Sequence, residues 1–458
     1  MSVKRHSAIE PLGGPSPGRA LCAAVTTAEA LRSWGSFHRD DPFGLFAELR
    51  EIGPVHPVRL SDGHEAWLVV SHEEAMTALN DRRLSKDMHA ALATGSAVVA
   101  EGLPGPEFAR HMLTVDPPDH TRLRRLVTSA FSPRRVEALR EPVRAIADDL
   151  LDDIAAAGPD GPVDLVSTFA FPLPFTVICE LLGVPRPDRA QLGAAFTKLL
   201  VPTATEEEYA AAKEASDAVV TMLAELVAYK QGAPGDDLVS DLVSARDGAE
   251  RLSDQELLST VFQLMVAGHD TTASLIGNSV VALFRHPMQL AEMRLNPAKI
   301  PAAIEELLRY DAPVPHSTFR YAVEPVTIAG VTIPSGSQVI ICLAAANRDA
   351  ERYPNPDQLD IDRETTRHLA FGHGVHHCLG APLARLEGHI ALASLLLRFP
   401  RLALAVPLGD LHWGHGDGLV LRGLSELPVI PGPALPRATA GAVGSGASAP
   451  LPPKESAS

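Results

Sequence analysis

Phe371-Gly372-His373-Gly374-Val375-His376-His377-Cys378-Leu379-Gly380 sets a single cysteine at the end of a glycine-spaced loop, directly before a helix-forming run. The glycines on either side of His373 allow a tight turn and a close approach of backbone to a flat ligand, which a side chain would obstruct. The next run, Ala381-Pro382-Leu383-Ala384-Arg385-Leu386-Glu387, opens a helix, because proline is tolerated in a first turn. Cys378 therefore stands near a helix N-terminus, where free amide donors and the positive dipole end favour a thiolate over a thiol.

Three readings of that cysteine compete. It can be a buried structural residue, the ordinary fate of an isolated Cys. It can join His373, His376 and His377 around zinc, although adjacent histidines converge poorly on one ion and no second ligand pair has the usual spacing. Or it can hold haem iron, with the glycines clearing space for the porphyrin.

Composition bounds the rest. With 458 residues and 46% hydrophobic content the chain can bury a large core. Forty basic against 56 acidic residues give a formal charge of −16, which argues against a general nucleic-acid binder. Cys22, Cys179, Cys342 and Cys378 lie far apart with no disulfide rhythm, as suits a reducing cytoplasm. No export signal is evident, and no run approaches the roughly 18 apolar residues of a membrane span. Residues 1–34 and 433–458 are rich in Gly, Pro, Ala and Ser and read as disordered ends around one unit at 35–432.

Within that unit, Val55 to Val70 reads as a hairpin around Ser61-Asp62-Gly63-His64. Pro325 to Leu343 is a second strand-rich patch, and Val143, Ile146, Leu150 and Ile154 recur at helical steps. The fold class is mainly α with small β-sheets. The longest helix begins at the capping-box sequence Ser253-Asp254-Gln255-Glu256 and runs to about Arg285, before Pro287. Such a helix spans roughly 48 Å at about 1.5 Å per residue. Apolar on most faces, it should be central. Its middle, Ala267-Gly268-His269-Asp270-Thr271-Thr272, suits a helix poorly: glycine costs about 1 kcal/mol against alanine, and Thr hydroxyls can bond back to carbonyls one turn earlier.

The cysteine loop resembles the haem-binding loop of the cytochrome P450 monooxygenases, and the other segments are similar to further motifs of that family. The resemblance implies a single-domain P450 fold, a long central helix crossing the haem, haem b as cofactor and Cys378 as axial ligand of the iron. It makes Ala267 and Gly268 part of the oxygen-activation groove, with Asp270 and Thr271 as its acid–alcohol pair, and sets Phe371, Gly372 and Gly380 against the cofactor. His120 and Arg124, Arg320 and His376 would hold the propionates. Glu306 and Arg309, one turn apart, would lock the core structurally. The family often closes that lock with an arginine where this chain has Gln358, a departure for which Arg363 or Arg348 could compensate.

The function so implied is insertion of one oxygen atom from O2 into a bulky, largely apolar small molecule. Overall the chain is similar to actinobacterial members that hydroxylate or epoxidise macrolides and other polyketides. Steroid or terpenoid hydroxylation is the nearest alternative, and a non-catalytic haem-based gas or ligand binder is the alternative of another class. Electrons would come from a ferredoxin and its reductase, with Arg122 and Arg125 as spare cations on the docking face; the protein is expected to be a cytoplasmic monomer. By resemblance the substrate pocket draws on residues 88–113, 171–202, 314–318 and 418–421 together with Phe262 and Val266.

Overall fold

The structure is a computed structural model that describes residues 10–11, 41–59, 65–87, 91, 110–128, 131–199, 206–247, 250–364, 367–414 and 421–437. Of the sequence expectations, the 61–64 turn, most of the 88–113 loop, residues 200–202 and 418–420, and residues 1–9, 12–34 and 438–458 of the expected disordered ends lie outside these residues, whereas 10–11 and 433–437 are ordered, against that expectation.

Helices dominate. Those that build the site are α1 (Asp119–Thr128), α2 (Arg140–Ala156), α3 (Pro172–Leu182), α4 (Asp254–Arg285), α5 (Ile300–Tyr310) and α6 (Ala381–Arg398). Helix α4 starts where the sequence places it. Ser253 Oγ accepts from the Glu256 amide at 3.2 Å and Glu256 Oε2 accepts from the Ser253 amide at 2.9 Å, so two of the four orphan amides at this end are satisfied reciprocally. Leu257, Val261, Leu264, Met265, Ile276 and Val280 are all buried, and α3 and α6 pack against the helix. Each such side chain contributes on the order of 1.5–3 kcal/mol on burial.

In α2 the pattern is shifted from expectation. Val143, Ala147, Leu151 and Ile154 face inward, whereas Ile146 and Leu150 pack only at its margin. The apolar stripe is wider than the i, i+3, i+4 rows read from the larger side chains, and the small Ala147 marks its centre.

Six strands form the main sheet in the order β1-β2-β3-β6-β5-β4, with β1 Glu10–Pro11, β2 Val55–Arg59, β3 Glu65–Val69, β4 Leu84–Ser85, β5 Arg320–Ala322 and β6 Gln338–Ile341. The expected hairpin is the antiparallel β2–β3 pair, from Val55 opposite Val69 to Arg59 opposite Glu65. Val326–Ile328 and Val331–Ile333 form a second hairpin, turned by Ala329 and Gly330 at φ 46° and 79°. At the far edge Ser85 of β4 pairs with Tyr321 of β5, which brings the chain after β4 beside Arg320.

At the C-terminal end, the Leu435 amide donates to Arg398 O at 2.8 Å, and Arg437 pairs with Asp149 and Asp152 at 2.8 and 2.6 Å.

Candidate active site

The unusual middle of α4 remains helical. Thr271 Oγ1 donates to Ala267 O at 2.8 Å, the back-bond expected for a threonine inside a helix. Gly268 packs closely on α3: a Cβ there would stand 3.0 Å from Ile178 Cδ1, so the Ile178 side chain would have to give way. His269 points away from any role legible in sequence. Fully buried, it donates from Nδ1 to Met265 O at 2.7 Å and is boxed edge-on by Phe171, Phe175 and Phe196 at centroid distances of 5.3, 5.7 and 5.0 Å. Its Nε2 lies 3.3 Å from Oδ1 of the buried Asp270.

The cysteine loop takes the shape its glycines permit. Gly372 and Gly374 adopt φ of 68° and 75°, and a Cβ on Gly374 would collide with Asn80 Oδ1 at 2.6 Å. The Cys378 amide donates to Phe371 O at 2.9 Å, closing the loop at the entry to α6. Cys378 borders solvent-accessible space although it sits deep in the protein mass. Burial raises its thiol pKa, and the Gly380 and Ala381 amides with Arg124 and Arg385 oppose that without reversing it. The expected preference for a thiolate is therefore corrected: the helix terminus helps, but desolvation wins. His373 and His377 are pushed down by burial, His377 to about 4, and among the described residues no cluster of three or more His, Cys, Asp or Glu could hold a metal ion.

Around this loop, α1 and β5 bring together basic side chains, three of which, counting His376 of the loop, carry nitrogens without hydrogen-bond partners. His120 is 2% exposed and neither ring nitrogen has a hydrogen-bond partner. Its ring lies 4.3 Å from that of His376, whose Nε2 is also unsatisfied, 3.9 Å from Asp116 Oδ1. Burial, then His376 and Arg124, lower the His120 pKa to about 4. Arg320 donates from Nη1 to Leu84 O at 3.2 Å and leaves Nε unpaired; burial lowers it to about 10. Arg124 Nη2 donates to His377 O at 2.7 Å. Buried donors without acceptors cost on the order of 1–3 kcal/mol each. An anionic ligand carrying carboxylates would satisfy them, so these residues fit the haem propionates.

Glu306 and Arg309 on α5 form a fully buried two-point pair, at 2.7 Å to Nε and 2.8 Å to Nη2. The remaining Arg309 donors reach the carbonyls of Asn347, Pro356 and Gln358 at 3.0, 2.8 and 3.2 Å. Gln358 thus supplies its main chain, while Arg363 provides the second guanidinium, 3.1 Å from Glu306 Oε1. Arg348 is engaged elsewhere, on Tyr310 O at 2.7 Å and over the Phe43 ring. A neighbouring network is absent from the sequence reading: Glu305 takes Arg385 at 2.7 and 2.8 Å and His368 at 3.1 Å. The consecutive Glu305 and Glu306 therefore serve separate networks. Arg122 also differs from expectation. It is bound to Glu256, the capping residue of α4, so it ties α1 to that helix and is not a spare surface cation.

The thiol on a glycine loop, the unsatisfied buried donors beside it and the acid–alcohol step in a long central helix lie in a chain whose family is shown by comparison with known proteins. The family model described as "Cytochrome P450" matches residues 184–296 and 299–404, and cytochrome P450 monooxygenase PikC of Streptomyces venezuelae is 46% identical over 88% of this chain and 95% of its own length. The chain belongs to the cytochrome P450 family.

The mycinamicin IV hydroxylase/epoxidase of Micromonospora griseorubida is 43% identical over 84% of this P450 and 95% of its own length. Among solved structures, the tirandamycin C-bound P450 monooxygenase TamI superposes with a TM-score of 0.76 at 39% identity, covering 86% of this chain and 98% of the other. The protein is accordingly an oxidoreductase, a haem-dependent monooxygenase that draws on O2 and an electron-donor partner. No described helix is long and apolar enough to cross a membrane.

Proposed function

We propose that this P450 hydroxylates or epoxidises a bulky, mostly apolar secondary metabolite of the macrolide or other polyketide class, using haem b bound through Cys378. The observation that carries the cofactor assignment is the convergence of unsatisfied donors on His120, Arg320 and His376 around the Cys378 loop. Support for the substrate class comes from the relatives named for mycinamicin and tirandamycin. Electron delivery is assigned to a ferredoxin and its reductase, and the working state to a cytoplasmic monomer.

Haem held by a thiolate supplies reductive activation of dioxygen and transfer of one oxygen atom. Cys378 supplies the sulfur. Its raised pKa is no obstacle, since a metal deprotonates a coordinating thiol outright, and the Gly380 and Ala381 amides and Arg385 stabilise the anion once formed. His120, Arg124, Arg320 and His376 anchor the propionates; Phe371, Gly372, Gly380, Ala267 and Gly268 give the loop and helix surfaces that a flat ring approaches.

Asp270 and Thr271 handle protons. The Thr271 hydroxyl, held on Ala267 O, can donate into the groove, and the buried Asp270 next to it, 3.3 Å from His269 Nε2, can hold or pass a proton. Phe262, Val266 and Val314 are half-buried apolar side chains, and the surface that selects a large hydrophobic substrate is assigned to them. Spin-state titration of the purified enzyme against macrolactones, linear polyketides and steroids tests the substrate class: tight shifts with polyketides support it, and shifts with steroids alone overturn it.

A further inference from the structure

The donor cluster contains one more cation than the four residues assigned to the propionates. Lys86 comes directly after β4, and the Ser85–Tyr321 register sets it alongside Arg320. The residue is 5% exposed. Its ammonium touches the Thr318 hydroxyl and donates to Phe319 O at 3.3 Å, and among the described residues no carboxylate comes within ion-pair distance. A buried ammonium satisfied only by neutral oxygens is costly.

Its one acidic neighbour in the cluster is Asp116, which accepts from the Lys86 amide at 3.0 Å and from the Ser85 hydroxyl. Burial works against ionisation of Asp116, yet His376, Ser85 and the Lys86 amide pull its carboxyl down to about 2. Burial, then Arg320, press the Lys86 pKa well below the usual lysine range, against the pull of Asp116. Asp81 also acts on Arg320 but is itself paired with Arg83, so against Lys86, Arg124 and Arg320 the one carboxylate not paired with a cation outside the cluster is Asp116, an excess of two positive charges before either imidazole is counted. Two ionised propionates carry the matching charge.

We propose that Lys86 is a further cofactor-anchoring residue, a propionate-facing cation whose charge, offset by Asp116, completes a donor set matched to two carboxylates. This rests on the assignment of haem to the Cys378 loop. The competing role is a mechanical tie between β4 and the Thr318–Phe319 segment.

Charge and tie separate by sign. In the haem-loaded enzyme, Lys86→Met should lower the iron reduction potential and speed haem loss to an apomyoglobin acceptor several-fold, because a positive charge near the ring disfavours the ferric state. Asp116→Asn should shift the potential the opposite way, and Lys86→Arg should stay near wild type. Thr318→Val, which removes the tie and keeps the charge, should leave the potential unchanged; if the Lys86→Met protein does not fold, the upward shift in Asp116→Asn against the unchanged Thr318→Val carries the test. Potentials that move the same way in Lys86→Met and Asp116→Asn, or that move in Thr318→Val, overturn the proposal. Failure of the wild-type protein to take up haem overturns the haem assignment instead.

Discussion

Around Glu306 both carboxylate oxygens and all three guanidinium nitrogens of Arg309 are engaged inside the protein. Around His376 and Arg320, equally buried donors are left short of acceptors. The difference separates scaffold from site. A saturated buried charge network holds chain segments in one arrangement, here α5 against residues 347–363. A cluster short of anions is an unfavourable arrangement that a ligand relieves.

Breaking the saturated network should have the larger effect. Arg309→Met leaves Glu306 buried beside Arg363 alone, and Glu306→Gln leaves Arg309 uncompensated, so each should cost about 3–5 kcal/mol in urea unfolding of the apoprotein. A loss under about 1 kcal/mol would show that the pair is dispensable to the scaffold.

Two glutamates, the half-buried Glu305 and the fully buried Glu387, sharpen the same contrast by pH. Glu305, though burial alone would raise it, is held by His368 and Arg385 at about 2. Its contribution is complete above the ordinary carboxylate range near ~4.3 and is lost as pH falls towards 2. Glu387 in α6 has an Oε2 without a hydrogen-bond partner, and burial lifts its pKa to about 8. The native state keeps it neutral, so its cost is absent at pH 4 and grows as pH rises towards 8. Glu387→Gln should raise the melting temperature at pH 8 by several degrees and leave it unchanged at pH 4; Glu305→Gln should lower it at neutral pH and not at pH 2.

In the unsaturated cluster, His120→Phe with Arg320→Met should reverse the usual pattern. The apoprotein should keep or gain stability, because orphaned donors are removed, while haem retention falls on the order of tenfold, about 1.4 kcal/mol. Equal destabilisation of both forms would mean that the cluster is scaffold. The smallest structural effect belongs to Thr271→Ala, worth under about 1 kcal/mol in stability. Product formed per electron pair should nevertheless fall several-fold; unchanged coupling would remove Thr271 from proton handling.

Sequence reading succeeds where the signal is local. The α4 start is a four-residue capping box, the loop turns on glycines two apart, and the Glu306–Arg309 pair is one helical turn, so each can be placed without the fold. It fails where partners are far apart in the chain. Glu305 meets Arg385 across 80 positions and Arg122 meets Glu256 across 134, distances over which no periodicity carries information. The Cys378 pKa escapes it for a related reason: a helix terminus is visible in sequence, whereas the depth of burial that outweighs it is not. Lys86 is equally silent, because a single lysine after a short strand gives no signal until its strand is paired.

The most direct test is the absorption spectrum of the reduced, carbon-monoxide-bound protein, recorded for wild type and Cys378→His. Cysteine ligation predicts the thiolate-type Soret band in wild type and its replacement by an imidazole-type band in the variant. An imidazole-type band in wild type, or a thiolate-type band that survives the substitution, would contradict the account.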